Sequence, residues 1–147
     1  PSERAARLRI GFAKAGDVLL THNASVGGVA IAPPDAGDFL IGTSVTYWRC
    51  NSEALEPRYL YYFMQSEHFQ RQLQFIMKQT TRNQVSVLKQ VNLWICVPPL
   101  AEQRQIAVEL VALHQRLESL KRLESESAVE LDALLPAIVD RAFKGEL

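Results

Sequence analysis

At 147 residues, 48% of them apolar, the chain has the length for about one domain with an appendage, and it can bury a core, which excludes a disordered tract. No apolar run approaches the ~18 residues of a membrane span, and Glu3, Arg4, Arg7 and Arg9 break up the start too often for a secretory signal, so a cytoplasmic protein is expected. The net charge is zero, but residues 1–100 carry ten Lys/Arg against seven Asp/Glu (+3) and residues 101–147 six against nine (−3), so an acidic partner for the first part stands beside a plain solvated face as explanation.

The first half reads as short strands and turns. Gly16-Asp17 signals a turn into Val18–Thr21, and Gly27-Gly28 precedes Val29–Ala32. The run Pro33-Pro34-Asp35-Ala36-Gly37-Asp38 is a loop, and Thr43–Trp48, rich in β-branched and aromatic residues, makes a strand. Two helices follow. Pro57 fits a first helical turn, where its missing N–H would be unpaired anyway, and Leu60, Phe63 and Met64 share a face behind it. Ser66 then caps a helix whose Phe69, Leu73, Ile76 and Met77 recur at helical spacing. Aromatics at that spacing read as core before they read as base-stacking platforms.

Gln79 to Gln84 breaks the period with six polar residues. Beyond it Val91, Leu93, Ile95 and Val97 alternate with Asn92, Trp94 and Cys96, the pattern of a half-buried strand that Pro98-Pro99 ends. After Leu100 the composition shifts. Ile106, Leu110, Leu113, Leu117 and Leu120 step by four and three, as a coiled-coil seam does. The same phase reaches Glu124, Ser127, Leu131, Leu134 and Ile138, so the register survives a polar interruption and predicts one long helix. From Ala101 to Leu135 it spans about 50 Å at ~1.5 Å per residue. Pro136 is expected to kink or end it, leaving a short turn through Ala142-Phe143 before Gly145. Such a stripe needs another helix, the alternative being a helix folded over its own domain. The expected division is a domain over 1–98 and a helical region over 99–147.

Signals for catalysis are sparse. His22, His68 and His114 sit in three different elements, and no HExxH, GxSxG or phosphate-loop motif occurs. Gly27-Gly28 lacks the third glycine and following helix of a dinucleotide fingerprint. Cys50 and Cys96, 46 positions apart without metal-ligand spacing, read as reduced, mostly buried thiols. No cofactor and no metal is expected.

The order of short motifs is more specific. Gly16-Asp17-Val18-Leu19-Leu20-Thr21 resembles the "GD(V/L)L" strand of type I restriction specificity subunits, and Pro57-Arg58-Tyr59-Leu60 their "P-x-YL" helix start. Thr80-Thr81-Arg82-Asn83-Gln84 with Lys89-Gln90 is similar to a "TRNQ…KQ" stretch of one group of their target-recognition domains. Pro98-Pro99-Leu100-Ala101-Glu102-Gln103 matches the "PPLxEQ" opening the family's helical region, and Leu134–Ile138 and Ala142–Leu147 resemble its end. Each motif is weak alone; six in order across nearly the whole chain are not.

The resemblance implies an α+β fold: a small mixed strand/helix target-recognition domain followed by a long coiled-coil helix. It implies a non-catalytic subunit that reads one half of a split double-stranded DNA target. The helix would set the distance to the other half, pairing antiparallel with the rest of the subunit or with a second copy, and would dock the modification (methyltransferase) subunits. Methyl transfer, and cleavage by a restriction subunit reached indirectly, would belong to those partners. Only fifteen residues precede the Gly16 motif where the family has several tens, and the first residue is not Met, so a fragment or an unusually small domain is expected.

The residue types agree with DNA reading at one place. Arg pairs with guanine, Asn or Gln with adenine, and Thr and Lys hold phosphates. Gln79, Thr80, Thr81, Arg82, Asn83 and Gln84, with Lys89, offer these types in a stretch, His68 to Ala101, that contains no acidic residue. His22, Asn23, Thr43, Ser44 and Arg49 are second-rank candidates. Two rivals remain at this point. One is a coiled-coil assembly module without DNA binding, which a salt-dependent gel shift separates. The other is a DNA-associated hydrolase, which metal analysis of the purified protein would detect.

Overall fold

The computed structural model describes residues 11–78 and 83–145. These divide into two compact units, one extending to Ala107 and one beginning at Val108.

The first unit is built on five short strands: β1 (Phe12–Ala13), β2 (Val18–Thr21), β3 (Val29–Ile31), β4 (Phe39–Leu40) and β5 (Val45–Trp48). All pairs are antiparallel, β1 with β4 in one sheet and β3-β2-β5 in the other. Gly16, at φ +82°, makes the turn that launches β2, a backbone angle a side-chain-bearing residue disfavours. The period-2 pattern then buries Val18 and Leu20 on one face.

Against that face pack helices α1 (Pro57–Gln65) and α2 (Glu67–Lys78), giving a core of Val18, Leu20, Leu60, Met64, Phe69, Leu73 and Val85. Truncating one of these leucines would cost about 2–5 kcal/mol. Pro57 opens α1 as expected. Ser66 ends α1 and starts α2: its Oγ donates to the Phe63 carbonyl at 2.6 Å and accepts from the Phe69 N–H at 3.4 Å. The aromatic residues at helical spacing prove to be core, with Phe69 wholly buried and Phe63 edge-on to it at 6.1 Å.

The strand expected over 91–97 is absent. After the short helix α3 (Val87–Gln90) and a turn, residues 93–99 run without ladder partners. The expected alternation survives only in the middle, with Leu93 and Ile95 half-buried beside exposed Trp94 and Cys96, while Val91 and Val97 are exposed. Side chains take the place of a neighbouring strand. The Gln72 amide accepts from the Trp94 N–H at 2.8 Å and donates to its carbonyl at 3.0 Å, and the Tyr59 hydroxyl donates to the Cys96 carbonyl at 2.9 Å. One amide that both gives and accepts satisfies the backbone as a ladder residue would.

Helix α4 (Leu100–Lys144) carries the chain into the second unit. Its first turns are fixed by Gln103, which is wholly buried. The amide donates to the carbonyls of Ala54 (3.0 Å) and Pro98 (2.7 Å) and accepts from the Glu56 N–H (2.9 Å). The end anticipated at Pro136 does not occur, since α4 runs eight residues further. Proline removes the bond to the carbonyl four residues back and its ring crowds that carbonyl, at a cost of about 3 kcal/mol that does not end the helix here, and Arg141 and Lys144 in the last turn complement the helix dipole. Gly145, at φ +72°, donates its N–H to Ala142 and terminates the helix as expected. No helix among the described residues is long and apolar enough to cross a membrane.

Candidate nucleic-acid interface

The chain leaves β2 at Thr21, and the next residues meet two distant segments. The His22 N–H donates to the Ser44 carbonyl at 2.9 Å, and the Val85 N–H to the His22 carbonyl at 2.9 Å. Asn23 forms an antiparallel bridge with Gln84, and the Ala24 N–H donates to the Asn83 carbonyl at 3.1 Å. Three pairs of candidates far apart in sequence, His22-Asn23, Thr43-Ser44 and Asn83-Gln84, thus stand at one end of the sheet. Asn83 and Thr43 are exposed there, while Asn23, Ser44 and Gln84 are half-buried. Ala24, at φ +62°, is the one non-glycine residue with positive φ among those described. Strain of about 1–3 kcal/mol held at a loop tip is characteristic of positions where geometry serves function.

His22 is buried, and its Nδ1 lies 3.1 Å from the Val85 carbonyl. A carbonyl only accepts, so Nδ1 carries the proton and the ring fastens Val85. This makes His22 a residue that positions the surface, in place of the contact expected from the sequence. Gln79, Thr80, Thr81 and Arg82 lie outside the described residues. The segment containing them begins at Lys78, the last residue of α2, and rejoins the described chain at Asn83 beside the bridge.

Two other candidates stand elsewhere. The β2–β5 register pairs Thr21 with Val45 at the candidate end and Val18 with Trp48 at the other, so Arg49 falls at the opposite end of the strand. There its guanidinium donates to both oxygens of buried Asp17, at 2.9 and 2.7 Å, and to the Phe12 carbonyl at 3.1 Å, and lies 4.9 Å from the Tyr47 ring centre. Burial alone would push the Asp17 carboxyl up. The bonds from Arg49 and the Lys14 N–H, with the charges of both residues, outweigh it and hold the carboxyl below the usual range. Arg49 is thereby committed to the fold. Lys89, on α3, lines a groove with His68, Arg71, Phe75 and Trp94 and is not part of the bridged cluster.

Sequence reasoning missed the glutamines that fasten this surface. Gln90, buried, donates to the Val85 carbonyl and accepts from the Thr46 hydroxyl at 2.9 Å, tying β5 to the segment that bears Gln84. Gln70 donates to the Gly27 and Met64 carbonyls. Glutamine carries no periodicity signal of its own, and only the "KQ" match marked one of these positions, Gln90.

Both cysteines are free, but the burial expected of them holds for only one: Cys50 is half-buried and Cys96 exposed. Burial, with the charges of Glu56 and Asp17, pushes the Cys50 thiol up to about 11, so it is protonated and unreactive at neutral pH. The described residues contain no group of three or more His, Cys, Asp or Glu that could hold a metal ion.

In the helical unit the seam is laid bare. Leu113, Leu117, Leu120, Leu131, Leu134 and Ile138 are all exposed, as is Ile106 at the start of the stripe, and Leu110 is half-buried. Leu131 and Leu120, each more than 60% exposed, would leave an isolated helix costly to hydrate.

A small α+β unit with a polar surface gathered from three segments is continued by a long helix with an exposed apolar stripe. The family model of the type I restriction modification DNA specificity domain matches residues 12–126, and the chain belongs to that family. Among solved structures, it is similar to a chain from work on complex assembly and conformational transition of the type I R-M system, at 33% identity and a TM-score of 0.75. It is also similar to the HsdS subunit from Thermoanaerobacter tengcongensis, at 30% identity and a TM-score of 0.62. The match covers 92% of this chain in both cases but only 32% and 31% of those chains, so the present chain spans about a third of their length. No curated protein matches it.

Proposed function

We propose that this chain is the sequence-reading and assembly part of a type I specificity subunit: it recognises one half of a split double-stranded DNA target and docks modification subunits, without catalysing a reaction itself. The observation that carries the reading is the convergence of His22-Asn23, Ser44 and Asn83-Gln84 through the bridge at Asn23 and Gln84. It presents amide and hydroxyl side chains, the types that read adenine edges and hold phosphates, beside the segment that contains Arg82. Family membership supports it, and counts against an assembly module without DNA binding. Methyl transfer, and cleavage where a restriction subunit joins, are the work of the partners. No cofactor is assigned to this chain. The helix over 99–147 pairs through Ile106, Leu110, Leu113, Leu117, Leu120, Leu131, Leu134 and Ile138 with the other half of the subunit or with a second copy. The domain over 1–98 carries the reading surface.

The test is Arg82→Ala in the full complex with modification subunits, scored by methylation of target and single-base-variant duplexes. An arginine forked onto guanine supplies roughly 1–3 kcal/mol of discrimination, so activity on the target should fall about tenfold or more and preference should relax at one base pair. Thr80→Ala, as a phosphate contact, should weaken all duplexes alike. If Arg82→Ala, Asn83→Ala and Gln84→Ala each methylate as fast and as selectively as the parent, this segment is not the reader.

A further inference from the structure

We propose that the groove beside α2 and α3 docks an acidic, apolar-anchored segment of the modification subunit, a contact separate from the helix seam. The inference rests on the reading that this chain assembles with modification subunits, and it places one point of contact on the recognition unit. The groove encloses about 620 Å³, and all nine of its lining residues fall within the stretch from His68 to Ala101 that contains no acidic side chain. Ile76 and Leu93 line it half-buried, and Phe75 and Trp94 stand 67% and 79% exposed. Outside the groove Leu88 and Val91 are also exposed, at 82% and 77%, with Val91 lining a second cavity beside Val45, Trp48 and Val87. Large apolar side chains exposed together in one groove mark a contact surface.

Protein fits this surface better than duplex DNA. Nucleic-acid interfaces are polar and strongly cationic, whereas Trp and Phe ringed by Arg is the composition of a protein hot spot. Trp94 is also pre-organised, because the Gln72 amide holds both its N–H and its carbonyl, so little backbone ordering remains on docking. Charge sets the partner's chemistry. Arg71 is shared with Glu67 at the surface, and among the described residues Lys89 makes no ion pair and no carboxylate lines the groove. The occupant therefore brings an aliphatic or aromatic side chain to lie against Phe75 and Trp94 and a carboxylate to face Lys89.

The experiment uses the full-length specificity subunit and purified modification subunit in titration calorimetry, with duplex DNA binding by the specificity subunit measured in parallel. Phe75→Ala with Trp94→Ala should raise the dissociation constant about tenfold or more. Lys89→Glu, a surface change that leaves the core alone, should weaken capture severalfold and reduce its salt dependence. Affinity for DNA should stay at the parent's value in the Phe75→Ala, Trp94→Ala variant. Unchanged capture by both variants would overturn the proposal. So would unchanged capture with weakened DNA binding, which would make the groove a DNA contact, or with lost self-association, which would make it a contact between copies. If the parent itself does not bind the modification subunit, the assembly reading fails first and this inference falls with it. Should the double alanine variant unfold, Lys89→Glu alone decides.

Discussion

Replacing Gln103 by Ala tests whether the glutamine of the Pro98–Gln103 motif is a structural fastener. The side chain is wholly buried and makes three bonds to backbone, donating to Ala54 and Pro98 and accepting from Glu56. A buried group left unpaired costs about 1–3 kcal/mol. Ala54 is exposed and Glu56 and Pro98 are half-buried, so water recovers part of each bond and the low end applies. That gives roughly 3 kcal/mol for the three bonds. For a chain of this length each kcal/mol moves the unfolding midpoint by about 2–4 °C, so a fall of about 6–12 °C is expected by thermal scanning. Gln103→Glu keeps the shape but turns a carboxylate against two carbonyls. Its folded pKa should therefore rise above the unfolded value of about 4.3. The stability contributed by the protonated form is fully present below that unfolded value and is lost as pH rises through the folded one, so the deficit against the parent should shrink on acidification. A midpoint within about 2 °C of the parent for Gln103→Ala, or a Gln103→Glu deficit that grows towards acid pH, would refute the reasoning.

Leu113→Asp with Leu117→Asp should abolish self-association or pairing of the helix while the first unit stays folded, since both residues are exposed on α4; light scattering checks it, and a parent already monomeric at high micromolar concentration would remove the ground for self-pairing. Asp17 contributes stability above the unfolded carboxylate pKa of about 3.9 that is lost as pH falls through its depressed folded value. Asp17→Asn should accordingly be less stable than the parent at pH 7 by urea titration, with the gap closing under acid; a gap independent of pH would separate Asp17 from the Arg49 charge. Reversing Glu102, Glu109, Arg116, Glu118 and Arg122 together should weaken capture of the modification subunit by the helix and leave self-association intact, measured by pull-down with purified subunits.

Much of this protein is legible from its sequence because local periodicity and backbone chemistry act within a few residues. The turn at Gly16, the alternation Val18–Thr21, Pro57 at a helix start, Ser66 between two helices and the four-three spacing from Ile106 to Ile138 all state their structure directly. One reading failed, and one alternative of a second, where the determinant is not local. The 91–97 segment alternates like a strand, but whether it pairs depends on a neighbour, and Gln72, some twenty residues earlier, supplies a side chain in that role. Of the kink or end expected at Pro136 the end does not occur, because the helical turns beyond the proline offset its lost bond and its crowding of the preceding turn. The candidate surface divides in the same way. Residue type alone singled out Asn23, Ser44, Asn83 and Gln84, but only the tertiary structure brings them together, and it alone removes Arg49 to the far end of β5 and His22 into the interior. The reason is physical. A side chain's chemistry is written in its identity, whereas its solvent, its partners and its neighbours are fixed by contacts between segments dozens of residues apart.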